Sequence, residues 1–204
     1  MSGTLIIVSA PSGAGKTSLV NALVEDTEKL MVSVSYTTRA MRNGEEHGKS
    51  YHFIDESTYS QMQESGAFLE HARVFDHGYG TSKAWVMEKL SQDIDIILEI
   101  DWQGAQQVKA QFPCISVFIV PPSYEALESR LRARQQDSEP VIQKRLAGAR
   151  LEMMHYPEYD YLIINDDFSE ALSDMKAIYQ AARSETSRQA SRHAKWLDRL
   201  TDFD

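Results

Sequence analysis

A loop of small residues between an apolar run and a helical pattern constrains the fold of this chain more than any other feature. Residues 10–17 read Ala-Pro-Ser-Gly-Ala-Gly-Lys-Thr, after the apolar run 5–8 and before a helical pattern over 18–24. A strand, a glycine-containing loop that ends in Lys-Thr, and a helix are the context of a phosphate-binding P-loop. The sequence therefore predicts an α/β fold that holds the phosphates of a nucleotide at this loop.

The residue types in the loop suit a bound phosphate. Gly13 and Gly15 lack a Cβ, so the backbone can turn tightly and present its N–H groups to oxygen. The N-terminus of the following helix adds unpaired donors and the positive end of a dipole. Lys16 can reach the β- and γ-phosphates, and the Thr17 hydroxyl can bind Mg²⁺. Ala10 stands where the motif has its first glycine, and the alternative interpretation is an ordinary turn before a helix.

The charge of the chain excludes several classes of partner. The chain has 204 residues and a formal net charge of −9 at pH 7. General binding to nucleic acid or to an anionic membrane favours a basic surface. We therefore expect neither nucleic acid nor a membrane as a partner, and we expect any arginines that bind phosphate to be local clusters.

The cysteine content and the N-terminus predict where the chain resides. Cys114 is the only cysteine, and no Cys/His spacing is typical of structural zinc. The N-terminal residues lack the basic and apolar regions of a signal peptide. No apolar run approaches the roughly 20 residues that cross a bilayer. These patterns predict a cytoplasmic protein, and they leave open whether it forms a homo-oligomer.

Strand-like and helical patterns alternate along most of the chain. Strands are predicted at 4–9, 94–101, 115–120 and 161–165, and helices at about 16–25, 83–91, 103–111, 124–134, 139–155 and 168–182. This alternation predicts a parallel sheet with helices on both faces. Ligands bind such sheets at the carboxyl ends of the strands, so the P-loop, Glu99, Asp101 and Asn165 should meet in one crevice.

Residues 34–88 show a different pattern, with short strand-like stretches in succession. The predicted strands are at 31–36, 50–54, 68–75 and 79–82, and one helix, capped by Asp55 or Ser57, runs to about Glu64. The last two strands read as a hairpin. This order predicts a small lobe of mixed or antiparallel strands, inserted between the first and second parallel units of the core.

Two carboxylates are candidates for binding. Asp101 closes an apolar strand, which is typical of the acid that holds Mg²⁺ beside a P-loop hydroxyl. A helix N-cap is the alternative interpretation, and the two roles are compatible. Glu70 lies in a strand-like segment, where its carboxylate could pair with the donor–donor edge that only guanine offers. The alternative for Glu70 is a surface acid on an exposed sheet face.

Two groups of arginines are candidates for phosphate contacts. Arg39 and Arg42 flank a polar turn, with Tyr51 and Tyr79 further along the chain. Guanidinium and phenol groups together suit a phosphate monoester. Arg130, Arg134 and Arg145 lie on two predicted helices that could close over a transferring phosphoryl group. For both groups the alternative is solvated surface charge, which for the lid arginines would pair with neighbouring acids.

The motifs occur together in an order that resembles one family. They lie at residues 9–17, 35–45, 48–53, 79–82, 99–104 and 164–167, and the chain closely resembles guanylate kinases of the bacterial type over about residues 4–183. The resemblance implies a P-loop nucleoside monophosphate kinase that transfers the γ-phosphoryl group of ATP to GMP with Mg²⁺, in purine nucleotide metabolism. It also implies a core (1–33, 89–125 and 156–204), a GMP-binding lobe (about 34–88) and a helical lid (about 126–155).

The resemblance also implies roles for individual residues. ATP would be bound by Ala10, Pro11, Ser12, Gly13, Ala14, Gly15, Lys16, Thr17, Ser18 and Asn165, and Mg²⁺ by Thr17 and Asp101, partly through water. GMP would be bound by Ser35, Arg39, Arg42, Tyr51, Glu70, Tyr79, Gly80, Thr81 and Glu99. Catalysis would involve Lys16, Arg39, Arg42, Arg130, Arg134 and Arg145. Glu99 stands where the family usually has aspartate, so the charge is kept but lies one methylene further from the backbone.

Three other functions compete with this one. A related P-loop kinase could act on a sugar phosphate, but such a substrate has no donor–donor edge for Glu70. Another nucleoside monophosphate kinase could act on adenine, but adenine has an acceptor at N1 that a carboxylate would repel. A protein-interaction module without catalysis would tend to lose the P-loop or the lid arginines. Lys16, Thr17 and Asp101 are all present, which favours the enzyme.

Overall fold

A parallel β-sheet lies at the centre of the molecule. The structure is a computed structural model that describes residues 3–74, 76–133 and 138–202. Within these ranges the central sheet consists of β1 (Leu5–Ser9), β2 (Leu30–Val32), β7 (Asp95–Glu99), β8 (Ile115–Val120) and β9 (Tyr161–Ile164). The strands, numbered in chain order, lie in the order β2-β7-β1-β8-β9 with parallel pairings. We call this the core sheet.

Helices cover both faces of the core sheet. On one face lie α1 (Lys16–Glu25) and α7 (Phe168–Ser184), and on the other lie α3 (Lys83–Ser91) and α4 (Trp102–Gln111). Successive residues of a strand point to opposite faces. Accordingly Ile6 packs in the cluster that contains Leu19 of α1, and Ile7 packs in the cluster that contains Val86 of α3. This arrangement confirms the predicted parallel sheet flanked by helices.

A second, mixed sheet forms a lobe beside the core sheet. Its strands are β3 (Tyr36–Thr37), β4 (His52–Phe53), β5 (Phe68–Val74) and β6 (His77–Ser82), in the order β4-β3-β6-β5. The β3–β4 pairing is parallel, and β6 pairs antiparallel with both β3 and β5. We call this the lobe sheet. Beside it lies α2 (Glu56–Glu64), which is capped by Asp55, whose carboxylate accepts the Thr58 N–H at 2.7 Å.

The strand predicted at 31–36 is divided between the two sheets. Its first part belongs to β2, and the chain reaches β3 only at Tyr36. Between them the Ser33 N–H donates to the Ile97 carbonyl of the core sheet at 2.9 Å. The same alternation serves a strand of either sheet, so the pattern could not reveal where the chain changes sheets. The prediction of one continuous strand is therefore wrong.

Two helices form a small cluster of their own beside the core. They are α5 (Tyr124–Ala133) and α6 (Glu139–Met153). Leu127 and Leu131 of α5 pack against Ile142 and Leu146 of α6, and all four side chains are buried. On the outside, Arg132 contacts carboxylates on both helices. The pair therefore has an apolar cluster of its own, separate from the clusters on the core sheet. We call this pair the lid helices.

The chain ends in two short helices after α7. They are α8 (Thr186–Arg192) and α9 (Ala194–Thr201). Arg192 reaches back to the buried Asp95 at the start of β7, with 2.9 Å between Nη2 and Oδ1. Trp196 and Leu200 of α9 are exposed. The tail thus extends the helical layer beyond α7. Across the described ranges, no helix is both long enough and apolar enough to span a bilayer.

Candidate functional site

A cavity of about 600 Å³ opens where the P-loop, the lobe sheet and the lid helices meet. It lies beyond the carboxyl ends of β1 and β7, where parallel sheets bind ligands. Most of the predicted site residues line it: Ala10, Pro11, Ser12, Gly13, Gly15, Lys16, Thr17, Ser35, Arg39, Arg42, Tyr51, Glu70, Tyr79, Glu99, Asp101 and Arg145. The predicted crevice therefore exists, and it brings together residues from three parts of the chain.

Several predicted residues do not belong to this lining. Ala14, Ser18, Gly80, Thr81, Arg130 and Asn165 are not on the cavity wall. Thr81 and Asn165 are buried and contact residues that are on the wall. Arg130 donates from Nη2 to the Asn165 carbonyl at 2.8 Å. Arg134 lies outside the described residues. The site thus has a layer of residues that hold the cavity wall in addition to those that face a ligand.

The P-loop adopts the backbone conformation that its glycines permit. Gly13 has φ +95° and Gly15 has φ +93°, in the left-handed region where only glycine is unstrained. The Ala14 N–H donates back to the Pro11 carbonyl at 3.1 Å, which closes the turn. Helix α1 then begins at Lys16. The loop therefore presents the N-terminus of a helix toward the cavity, which favours an anion there.

The two acids at the end of β7, Glu99 and Asp101, have different surroundings. Thr17 donates from Oγ1 to Oε2 of Glu99 at 2.9 Å. Asp101 instead accepts the Gly104 N–H at 2.9 Å and so caps α4. The sequence analysis expected Asp101 beside Thr17 and Glu99 beside the base. The structure joins Thr17 to Glu99 and shows the capping role that was the alternative for Asp101. Both acids line the cavity together with Thr17, so the magnesium role of Asp101 stays a prediction.

Glu70 is a buried carboxylate at the lobe side of the cavity. Its side chain is almost fully buried, and Oε1 accepts the Thr81 hydroxyl at 2.6 Å. Burial raises the pKa of Glu70 to about 7, and the nearby charge of Asp101 acts in the same direction, while the bond from Thr81 opposes it. A Cβ on Gly104 would lie 2.6 Å from Oε2 of Glu70. The sequence did not reveal this requirement for glycine at the start of α4.

Glu45 organises the arginines of the lobe. Arg39 donates from Nη2 to Oε1 of Glu45 at 2.6 Å, and the Arg42 N–H donates to Oε2 at 2.8 Å. The Arg39 bond holds the pKa of Glu45 below its usual range. The Arg39 guanidinium also lies 5.4 Å from the centre of the Tyr51 ring. Sequence reasoning missed Glu45, although its place in the polar turn beside both arginines was a usable signal.

Helix α6 contributes a carboxylate that was not predicted. Glu152 lines the cavity together with Lys144 and Arg145. Burial raises the pKa of the Glu152 carboxyl, and Lys16 and the Ser12 N–H act in the opposite direction. The lid helices therefore place a carboxylate near the two P-loop groups that suit an anion. Lys16, the lysine that best fits phosphate chemistry, is close enough to this acid to favour its ionised form.

Most of the chain matches one family of known proteins. The family model described as guanylate kinase matches residues 2–182. The chain belongs to the guanylate kinase family. A guanylate kinase of Alcanivorax borkumensis is 55% identical over 199 residues, which cover 97% of this chain and 96% of that protein. A guanylate kinase of Nitrosococcus oceani is 52% identical over 203 residues, which cover 99% of this chain and 100% of that protein.

A solved guanylate kinase has a similar fold. The crystal structure of guanylate kinase from Anaplasma phagocytophilum superposes with a TM-score of 0.80 at 32% sequence identity, over 99% of this chain and 97% of that chain. The agreement extends over the core sheet, the lobe sheet and the lid helices together. The sequence-based assignment to the guanylate kinase family is thus confirmed, and the α/β kinase fold with it.

Proposed function

We propose that the chain transfers the γ-phosphoryl group of ATP to GMP and releases ADP and GDP. One observation carries the proposal: the P-loop and the buried carboxylate of Glu70 face the same cavity. Membership of the guanylate kinase family supports the same reaction. A phosphate-binding loop serves the donor, and a carboxylate that suits the guanine edge serves the acceptor.

On the donor side, Lys16 and the P-loop N–H groups would hold the ATP phosphates. Thr17 and Glu99 offer a hydroxyl and a carboxylate oxygen within 2.9 Å of each other, a pair of hard donors that suits Mg²⁺. In the described ranges no group of three or more acidic, histidine or cysteine side chains could hold a metal alone. Bound Mg²⁺ would neutralise charge on the phosphate oxygens.

On the acceptor side, Glu70 would accept hydrogen bonds from guanine, with Ser35 and Thr81 as neighbours. Asp101 caps α4 at Gly104, and a Cβ on Gly104 would lie 2.6 Å from Oε2 of Glu70, so we place Asp101 near the base side of the cavity. The phosphate of GMP would be held by residues around the polar turn: Arg39, Arg42, Tyr51 and Tyr79. Arginine and tyrosine donors at one end and a carboxylate at the other match the two ends of GMP.

The lid arginines would complete the site on closure. Arg145 lines the cavity from α6, and positive charge there would stabilise the transferring phosphoryl group. We propose the same for Arg134 from the sequence alone. The boundaries of the lobe at about 34–88 and of the lid at about 126–155 stay predictions. So do a cytoplasmic location and a place in purine nucleotide metabolism.

The compound that accepts the phosphoryl group distinguishes the proposed reaction from its alternatives. In a coupled assay with ATP and Mg²⁺, we expect rapid ADP release with GMP and much slower release with AMP, dTMP or ribose bisphosphate. Chelation of Mg²⁺ with EDTA should abolish the activity. Equal rates with AMP and GMP would contradict guanine reading by Glu70. A preference for ribose bisphosphate would favour the sugar-phosphate kinase instead.

The raised pKa of Glu70 predicts a pH dependence of GMP binding. The carboxylate is the form that accepts hydrogen bonds from guanine, and it predominates above a pKa of about 7. Protonation below that pH removes the charge, so the Michaelis constant for GMP should rise as the pH falls. Between pH 8 and pH 6 the ionised fraction of such a group drops about tenfold, and the Michaelis constant should rise by a similar factor.

Glu70→Gln provides the control for that pH profile. The variant cannot ionise at this position, while the phosphate of GMP, with a second pKa of about 6, titrates in both assays. We expect the variant to have a raised Michaelis constant for GMP and a weaker preference for GMP over AMP. Its Michaelis constant for GMP should also change less with pH than that of the wild type. If wild type and variant had parallel profiles, the titrating group would lie elsewhere.

A further inference from the structure

Asn165 joins the P-loop to the end of the core sheet. It directly follows β9, is 5% exposed, and donates from its side-chain Nδ2 to the Ala14 carbonyl at 2.7 Å. Both main-chain polar groups of Asn165 are hydrogen-bonded. The Asn165 N–H donates to the Val120 carbonyl at 2.8 Å, and the Asn165 carbonyl accepts Nη2 of Arg130 at 2.8 Å. The amide is therefore presented to the P-loop from a fixed backbone.

The contact between Asn165 and the loop is close. A Cβ on Gly15 would lie 2.3 Å from Nδ2 of Asn165, so only glycine allows the side chain to approach this far. Ala14, the loop residue whose carbonyl accepts this hydrogen bond, is also buried. A longer side chain would not fit, and a carboxylate would offer an oxygen to the carbonyl of Ala14. An asparagine meets these requirements because it is short, neutral and able to donate.

The geometry of one peptide group connects this contact to the cavity. The carbonyl of Ala14 and the N–H of Gly15 belong to the same planar trans peptide, so they point in opposite directions. A hydrogen bond that holds the carbonyl toward Asn165 therefore directs the Gly15 N–H away from it. Gly15 lies on the cavity wall, whereas Asn165 does not. The orientation of a backbone donor on the cavity wall is thus set by a residue that does not line the cavity.

We propose that Asn165 is a positioning residue that holds the Ala14–Gly15 peptide in the orientation required to bind the triphosphate of the donor. This inference rests on the proposed function, because it takes the P-loop to be the ATP site. It differs from a direct contact between Asn165 and ATP. The residue acts through the loop backbone. Its loss should therefore weaken the binding of the phosphates of ATP and leave the binding of the adenine and the ribose unchanged.

Inorganic tripolyphosphate separates the two roles, because it has the phosphates of ATP without the nucleoside. We would measure the affinities of wild type and Asn165→Ala for tripolyphosphate, ATP and GMP by calorimetry, with Mg²⁺ present. We expect the variant to bind tripolyphosphate and ATP each about tenfold more weakly, the effect of one lost hydrogen bond, and GMP unchanged. In steady-state kinetics the Michaelis constant for ATP should rise and that for GMP should not.

Two further variants complete the comparison. Asn165→Asp keeps the side-chain volume but turns an oxygen toward the Ala14 carbonyl, and it should weaken tripolyphosphate binding even if the alanine variant is too unstable to measure. Asn21→Ala removes the same group from an exposed position of α1 and should leave all three affinities unchanged.

Three results would overturn the inference. If both Asn165 variants bound tripolyphosphate as wild type does while ATP binding weakened, Asn165 would act on the nucleoside. If GMP binding fell by the same factor as tripolyphosphate binding, the loss would be a general one of structure. A wild-type chain that bound neither ATP nor tripolyphosphate would contradict the proposed function itself.

Discussion

Lys16→Ala is expected to lower kcat with GMP by about 10²- to 10³-fold while the chain stays folded. A fixed cation in a water-poor site stabilises the charge that develops on the phosphoryl oxygens, and removal of one such group has an effect of this size. Lys16 lies on the cavity wall at the start of α1. Its loss should also leave the neighbouring Glu152 carboxylate without the charge that favours its ionised form. Steady-state kinetics and a thermal melt measure the two outcomes.

Lys49→Ala is the matched control for the loss of one lysine. Lys49 lies in the lobe, 75% of its side chain is exposed, and it pairs with Glu46. Exposed pairs of this kind contribute about 0–1 kcal/mol, so the control should keep both turnover and stability. Near-normal turnover of Lys16→Ala would contradict the proposed mechanism, whereas a melt far below that of the control would assign the lost activity to unfolding.

Asp95→Ala is expected to lower the free energy of unfolding by about 3–5 kcal/mol, because it removes one partner from a buried ion-pair network. Asp95 is fully buried at the start of β7. Its carboxylate accepts the Thr4 N–H at 2.6 Å and the Tyr179 hydroxyl at 2.8 Å, and it pairs with Arg183 at 3.0 Å and Arg192 at 2.9 Å. Without Asp95, the guanidinium groups of Arg183 and Arg192 would stay partly buried and would lose the carboxylate that they share.

The matched control for Asp95→Ala breaks an exposed pair. Asp26→Ala removes the carboxylate that binds Lys176 at 2.6 Å between the loop after α1 and helix α7. Both side chains of this pair are largely exposed, so a loss of about 0–1 kcal/mol is expected. Urea denaturation of wild type and the two variants gives the comparison. Equal losses would mean that the Asp95 network contributes no more than a surface pair.

Elements whose signals lie within a few residues could be predicted from the sequence. Asp55 caps α2 through an N–H only three positions away, and the left-handed glycines of the P-loop follow from the loop motif itself. The parallel core sheet followed from the alternation of strands and helices. The division of residues 31–36 between two sheets could not be predicted, because side chains alternate with a period of two in the strands of either sheet.

Contacts between distant parts of the chain could not be predicted in the same way. Thr17 and Glu99 are 82 positions apart, and Ala14 and Asn165 are 151 positions apart. The sequence identified all four residues as members of the site, but not which atoms meet. The sequence predicts Asp101 as a metal ligand with a helix N-cap as the compatible alternative, and the structure shows the cap through the Gly104 N–H. Local sequence therefore indicated the site, and the tertiary structure determined its pairings.

The transfer of label from ATP to GMP tests the central claim most directly. With ATP labelled at the γ-phosphate, Mg²⁺ and equal concentrations of GMP and AMP, the wild-type chain should place the label in GDP and almost none in ADP formed from AMP. Lys16→Ala should form labelled GDP far more slowly. Labelled inorganic phosphate without labelled GDP, or equal labelling of both acceptors, would contradict a shared cavity in which the P-loop holds the donor and Glu70 selects guanine.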